Sequence, residues 1–75
     1  MKESITYQII KHLGTIRSYP DGTQLEVNIV SWNHAEPKFD IRNWSANHAT
    51  MERGLTLEKA DAEKVAEILT DYFKE

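Results

Sequence analysis

Apolar and polar positions alternate with period two over much of the first 57 residues, and recur at spacings of three and four after that. Ile5, Tyr7 and Ile9 alternate with Thr6 and Gln8, and the pattern slips at Ile10. Residues 5–19 therefore read as one strand or a bent pair of strands, with Gly14 as a bulge or kink. Tyr19-Pro20-Asp21-Gly22 is a turn signal, because Pro presets one turn dihedral and Gly accepts positive φ. Over residues 24–32, Leu25, Val27, Ile29 and Ser31 share one face, while Glu26, Asn28, Val30 and Trp32 share the other. Asn33-His34-Ala35-Glu36-Pro37 is the connection to a further alternating stretch at residues 37–44. There Pro37, Phe39, Ile41 and Asn43 oppose Lys38, Asp40, Arg42 and Trp44. Residues 45–50 read as a polar loop, and Arg53-Gly54-Leu55-Thr56-Leu57 as a short fourth strand.

From Glu58 to Phe73 the period changes. Ala62, Val65, Ala66, Leu69, Tyr72 and Phe73 form a broad helical stripe, with Ile68 at its margin. Glu58, Asp61 and Glu63 place negative charge where a helix N-terminus favours it. The N-cap falls on Thr56 or Glu58. Short connections favour hairpins over crossovers. The predicted fold is α+β: four mainly antiparallel strands and one C-terminal helix (ββββα), in a single domain spanning residues 1–75. The helix is expected to cover one face of the sheet.

A chain of 75 residues has a thin core, for which a homodimer is a natural remedy. There is no cysteine, which excludes disulfides, thiolate catalysis and cysteine-held metals. No apolar run approaches the length of a membrane span, and Met1–Ser4 carry no apolar leader, so a cytoplasmic setting without membrane contact is expected. The net charge of −3 is uneven. Residues 1–57 balance six bases against six acids, and the excess of acid lies wholly in residues 58–75. The first 57 residues thus remain compatible with a polyanionic partner.

Candidate chemistry centres on the tryptophans. Trp32 lies opposite Leu25, Val27 and Ile29, and Trp44 opposite Phe39 and Ile41. With those aliphatic residues taken as core, both indoles point away from it, Trp44 beside Lys38 and Arg42. Exposed rings interleaved with cations suit single-stranded nucleic acid, where bases stack on rings and Lys or Arg meet phosphates. Partly buried packing residues at strand ends, or a protein-docking surface, are the other readings of the same pattern. His12, His34 and His48 lack metal-site spacing, no Ser or Thr sits in a nucleophile motif, and no Gly-rich phosphate loop is present. The expectation is a protein without cofactor, metal, small-molecule substrate or enzymatic activity.

The stretch Val30-Ser31-Trp32-Asn33-His34-Ala35-Glu36-Pro37-Lys38-Phe39-Asp40-Ile41-Arg42-Asn43-Trp44-Ser45 resembles the bacterial YdbC-type branch of the transcriptional positive cofactor four family. Gly54-Leu55-Thr56-Leu57 fits that family's last strand. The resemblance implies a curved four-stranded sheet, a C-terminal helix, a homodimer with helices near the interface, and binding of single-stranded DNA with little sequence preference. By motif it implies base stacking on Trp32 and Trp44 and a backbone contact by Arg42. Lys38 and Asn33 join the candidate site as neighbours within the motif. Lys11, Arg17 and Arg53 join it from charge and strand location. Roles in transcription, replication or repair, in the cytoplasm or at the nucleoid, follow from the family alone. Single-stranded RNA on the same face and a protein-interaction module are the alternatives.

Overall fold

The computed structural model describes residues 5–74; Met1–Ser4, where no apolar leader is expected, and Glu75 lie outside that range. The described chain comprises β1 (Tyr7–Ser18), β2 (Gln24–Trp32), β3 (Lys38–Trp44), β4 (Leu55–Leu57) and α1 (Lys59–Phe73). The strands form one sheet in the order β1-β2-β3-β4, every neighbour antiparallel. The predicted ββββα order is therefore the fold.

Two turns act as their residues demand. Gly22, at φ 94°, closes the first hairpin, where its N–H donates to the Tyr19 carbonyl at 3.0 Å. The Thr23 N–H donates to the Asp21 carboxylate at 2.9 Å, and that bond holds the Asp21 pKa below its ordinary value. Asn33 and His34 both take positive φ, and the Ala35 N–H returns to the Trp32 carbonyl, as a tight hairpin with right-handed strand twist requires.

β1 is a single bent strand. Its register against β2 slips between Ile9 and Lys11, between His12 and Gly14, and between Thr15 and Arg17. The extra residues are Ile10, Leu13 and Ile16. Gly14, expected at the bulge itself, instead pairs with Val27. Each bulge places two residues opposite one, bends the strand and adds twist.

The bending decides where the core lies. Trp44 pairs with Gln24 at one end of the β2–β3 ladder, and Trp32 stands eight residue steps away along β2. On a flat strand that separation is about 26 Å. The two indole rings are in fact stacked, their centroids 6.2 Å apart and their planes 9° apart. The sheet therefore curls around the face that carries them. Val30, Trp44, Glu26, Asn28 and Asp40, all on this inner face, are the fully buried side chains. Leu25, Val27, Ile29, Phe39 and Ile41 are only half-buried on the outer face. The face read as core from the sequence is thus the more exposed one, because curvature encloses the opposite side.

The helix departs from expectation in a related way. Among the described elements, α1 packs only against β3 and β4, and none of its described residues is buried. Val65, Ile68, Leu69, Tyr72 and Phe73 remain exposed along it. Its N-cap is Glu58, whose carboxylate makes no cap bond and instead pairs with the Lys38 ammonium at 2.9 Å.

Candidate nucleic-acid interface

The inner face is built on an aromatic layer. Tyr7, opposite Trp32 in the β1–β2 ladder, sets its ring 5.8 Å from that of Trp32 and 5.2 Å from that of Trp44. His48 packs 5.7 Å from Trp44 from the loop after β3. That loop is tied across the layer: the Tyr7 hydroxyl donates to the His48 carbonyl, and the His48 Nε2 lies 2.9 Å from the Glu26 carboxylate. Trp44 is consequently fully enclosed. The expectation that it faces outward as a stacking platform is corrected. Its indole is the floor of the layer, and half-buried Trp32 is the tryptophan nearer to solvent.

Asp40 organises the rim around Trp32. It is completely buried and accepts from Arg42 Nε at 2.6 Å, Arg42 Nη2 at 2.8 Å, the Thr56 hydroxyl at 3.2 Å and the Trp32 indole N–H at 3.3 Å. The two parallel guanidinium bonds form a bidentate fork. Arg42 also donates to the Glu52 carbonyl at 3.0 Å, and its guanidinium lies 4.5 Å from the centre of the Trp32 ring. One carboxylate thereby fixes the indole, the guanidinium above it and the middle of β4.

Gly54 makes this close approach feasible. A Cβ there would collide with Arg42 Cβ and with the Ile41 carbonyl oxygen. Only Gly lets the segment carrying Glu52 and Arg53 lie against β3 at this point. Next to it opens a cavity of about 460 Å³ lined by Trp32, Asn33, Arg42, Met51, Arg53 and Thr56, among others. It brings the Trp32 indole, the Met51 thioether and the Arg42 and Arg53 side chains to one opening. Asn33 contributes to the rim while its side-chain oxygen accepts from the Thr6 N–H at 3.0 Å.

The remaining predicted contacts fall elsewhere. Lys11 and Arg17 pair with Ile29 and Leu25 in the ladder, which assigns them to the outer face, away from Trp32. One bulge precedes Lys11 and three precede Arg17, so both take the parity opposite to that of Tyr7 and Ile9. Lys38 pairs with Val30, on the Trp32 side, but is engaged by Glu58, whose hydrogen bond and negative charge raise the Lys38 pKa above its ordinary value. Trp32, Asn33, Arg42 and Arg53 are the predicted residues that the structure brings together.

A second polar cluster went unrecognised in the sequence. Glu26 and Asn28 are buried on the inner face of β2, and Asn28 Nδ2 donates to Glu26 at 3.0 Å. His12, opposite Asn28, lies 2.7 Å from Asn28 Oδ1. With Ile9, Gln24 and His48 these residues line a cavity of about 370 Å³. The available signal was the run of polar Glu26 and Asn28 on the same parity as Val30 and Trp32. Among the described residues, no group of three or more His, Asp or Glu side chains is placed to hold a metal ion. No described helix is long and apolar enough to cross a membrane.

No protein-family model matches the chain. Over 69 residues it is 30% identical to an uncharacterized protein of Treponema pallidum (strain Nichols), an alignment that covers 92% of this chain and 81% of that protein.

Proposed function

We propose that this chain, which belongs to the same family as the uncharacterized Treponema pallidum protein, is a non-enzymatic binder of single-stranded DNA acting as a homodimer in the cytoplasm. The observation that carries this reading is the cavity where half-buried Trp32, the guanidiniums of Arg42 and Arg53, and Met51 meet. A cavity of this size accommodates a small planar group. A base entering it meets the indole edge and the Arg42 guanidinium plane, and Arg53 stands at the rim for the adjoining phosphate. Stacking on a guanidinium plane tolerates every base, since all present a π-face. The resemblance to the positive cofactor four family supports the same assignment and suggests roles in transcription, replication or repair.

A labelled single strand of about 20 nucleotides, followed by fluorescence anisotropy over a salt series, tests this function. Binding is expected to weaken with salt, to exceed that of the matching duplex, and to quench tryptophan emission. Arg53→Ala is expected to reduce the magnitude of the log–log salt slope by about 0.7, the share of one phosphate on a single strand. An equal-length RNA strand identifies any preference set by the 2′-hydroxyl. Absence of salt-dependent binding to either strand overturns the reading and leaves a protein-interaction module.

The homodimer rests on surface that the single chain leaves open. Ile10, Leu13, Ile16 and Leu55 on the strands, and Val65, Ile68, Leu69, Tyr72 and Phe73 on α1, are all exposed large apolar residues. So much exposed apolar surface on so small a chain marks an association site. Sedimentation velocity at micromolar concentration is expected to give twice the chain mass. Leu69→Glu together with Phe73→Glu should return the monomer mass. A wild-type monomer at that concentration counts against the dimer.

A further inference from the structure

The geometry points to the second inner-face cavity, lined by His12, Glu26, Asn28 and His48, as a base-discriminating subsite that accepts the amino edge of cytosine or adenine and rejects the oxo edge of uracil or thymine. This inference rests on the single-strand reading above and sharpens it, since stacking alone predicts indifference to sequence.

Hydrogen-bond directions support it. The Glu26 carboxylate is an acceptor, so its 3.0 Å partner on Asn28 is the amide nitrogen. The Asn28 amide oxygen is then the atom facing His12 Nδ1 at 2.7 Å. That oxygen needs a donor, so the His12 tautomer that satisfies it carries its proton on Nδ1. His12 Nε2 is thereby left as an acceptor. Among the described residues its hydrogen-bond neighbour is the Thr15 hydroxyl at 3.4 Å, a long contact that an incoming donor can replace. The His12 side chain is half-exposed at 51%, whereas Glu26 beneath it is 3% exposed. The buried carboxylate and amide thus form a fixed floor beneath a half-exposed imidazole.

The charge of the pocket selects the ligand group. Glu26 is close to both imidazoles, 2.9 Å from His48 Nε2 and 3.6 Å from His12 Nδ1. A phosphate is repelled by a carboxylate at that depth, which leaves the base as the part of a strand to enter. Cytosine presents its N4 amino group and adenine its N6 amino group as donors, whereas thymine and uracil present O4, an acceptor. An amino hydrogen satisfies His12 Nε2. An oxo group meets an acceptor with another acceptor, over a buried negative charge.

Competition between oligo-dC and oligo-dU of about 20 nucleotides, measured by anisotropy at one salt concentration, tests the subsite. The pair isolates the C4 substituent with its coupled N3 proton, and avoids the thymine methyl. Oligo-dC is expected to bind about tenfold more tightly, a discrimination typical of recognising a base edge. In His12→Ala, and in His12→Phe, which keeps a ring of similar bulk, the ratio of the two affinities should collapse to about one. Both variants alter a half-exposed side chain, and circular dichroism establishes that they fold. Tight binding with equal affinities in the wild type overturns the subsite while preserving the single-strand function. A preference that survives in both His12 variants also overturns it, by tracing the preference to another residue. Failure of both strands to bind overturns the single-strand function and the subsite with it.

Discussion

Trp44→Ala is expected to destabilise the fold by about 3–5 kcal/mol, the range for removing a large buried aromatic ring. The indole is fully enclosed, in contact with Tyr7, Trp32 and His48, so its loss leaves a cavity at the point where the curled sheet closes on itself. A chain of 75 residues at roughly 0.05–0.15 kcal/mol per residue has only about 4–11 kcal/mol to lose. Urea titration monitored by circular dichroism, at fixed protein concentration, measures the change. Trp44→Phe retains a ring and removes an indole N–H that meets no acceptor among the described residues, so its effect should be clearly smaller. A loss below about 1 kcal/mol in the alanine variant, accompanied by weakened oligonucleotide binding, would return Trp44 to the role of an outward-facing platform.

The fate of Trp44 shows what alternation can and cannot reveal. Parity separates the two faces of a strand correctly: Trp32 and Trp44 do lie opposite Leu25, Val27, Ile29, Phe39 and Ile41. It does not say which face is enclosed. In a flat sheet covered by a helix, the aliphatic face would be the core. Here three bulges in β1 curl the sheet, and a strongly curled sheet buries its own inner face. Glu26, Asn28 and Asp40 were the available hint, because three polar residues share that inner face, and each is buried only with hydrogen-bond partners, Asn28 with Glu26 and Asp40 with Arg42, Thr56 and Trp32. The turns were easier to read, since Gly22 and the Asn33-His34 pair carry their conformations in residue type.

The site was legible to the extent that it is local. The motif running from Trp32 to Arg42 contains the indole, its carboxylate partner and the guanidinium above it, and the pairing of Asp40 with a neighbouring cation follows from spacing. Arg53 could be placed only loosely, because its approach depends on Gly54 lying against β3. Lys11 and Arg17 were proposed from charge and strand location alone, and the bulges, each of which changes side-chain parity by one residue, set them on the outer face. His12 and His48 were read as separate because 35 positions lie between them in sequence; the curl and the loop after β3 bring both to Glu26.

Arg42→Met should destabilise the chain by about 3–5 kcal/mol, because it leaves the Asp40 carboxylate buried without its counter-charge. Asp40 is fully buried and the Arg42 side chain is 12% exposed, so water does not replace the lost guanidinium easily. The effect belongs to the pair rather than to the arginine. Asp40→Asn in the Arg42→Met background removes the stranded charge and keeps a side-chain oxygen for the Thr56 hydroxyl. The double variant should therefore recover most of the loss, giving a coupling energy well above the few tenths of a kcal/mol expected of independent sites. Additive losses would show that packing of Arg42 against Trp32, rather than ion pairing with Asp40, carries its contribution. The same variants separate structure from binding. With two nitrogens committed to Asp40 and a third to the Glu52 carbonyl, Arg42 has less to offer a phosphate than Arg53. In the refolded double variant the salt slope should stay closer to wild type than in Arg53→Ala. A full loss of about 0.7 in that variant would instead make Arg42 a direct phosphate contact.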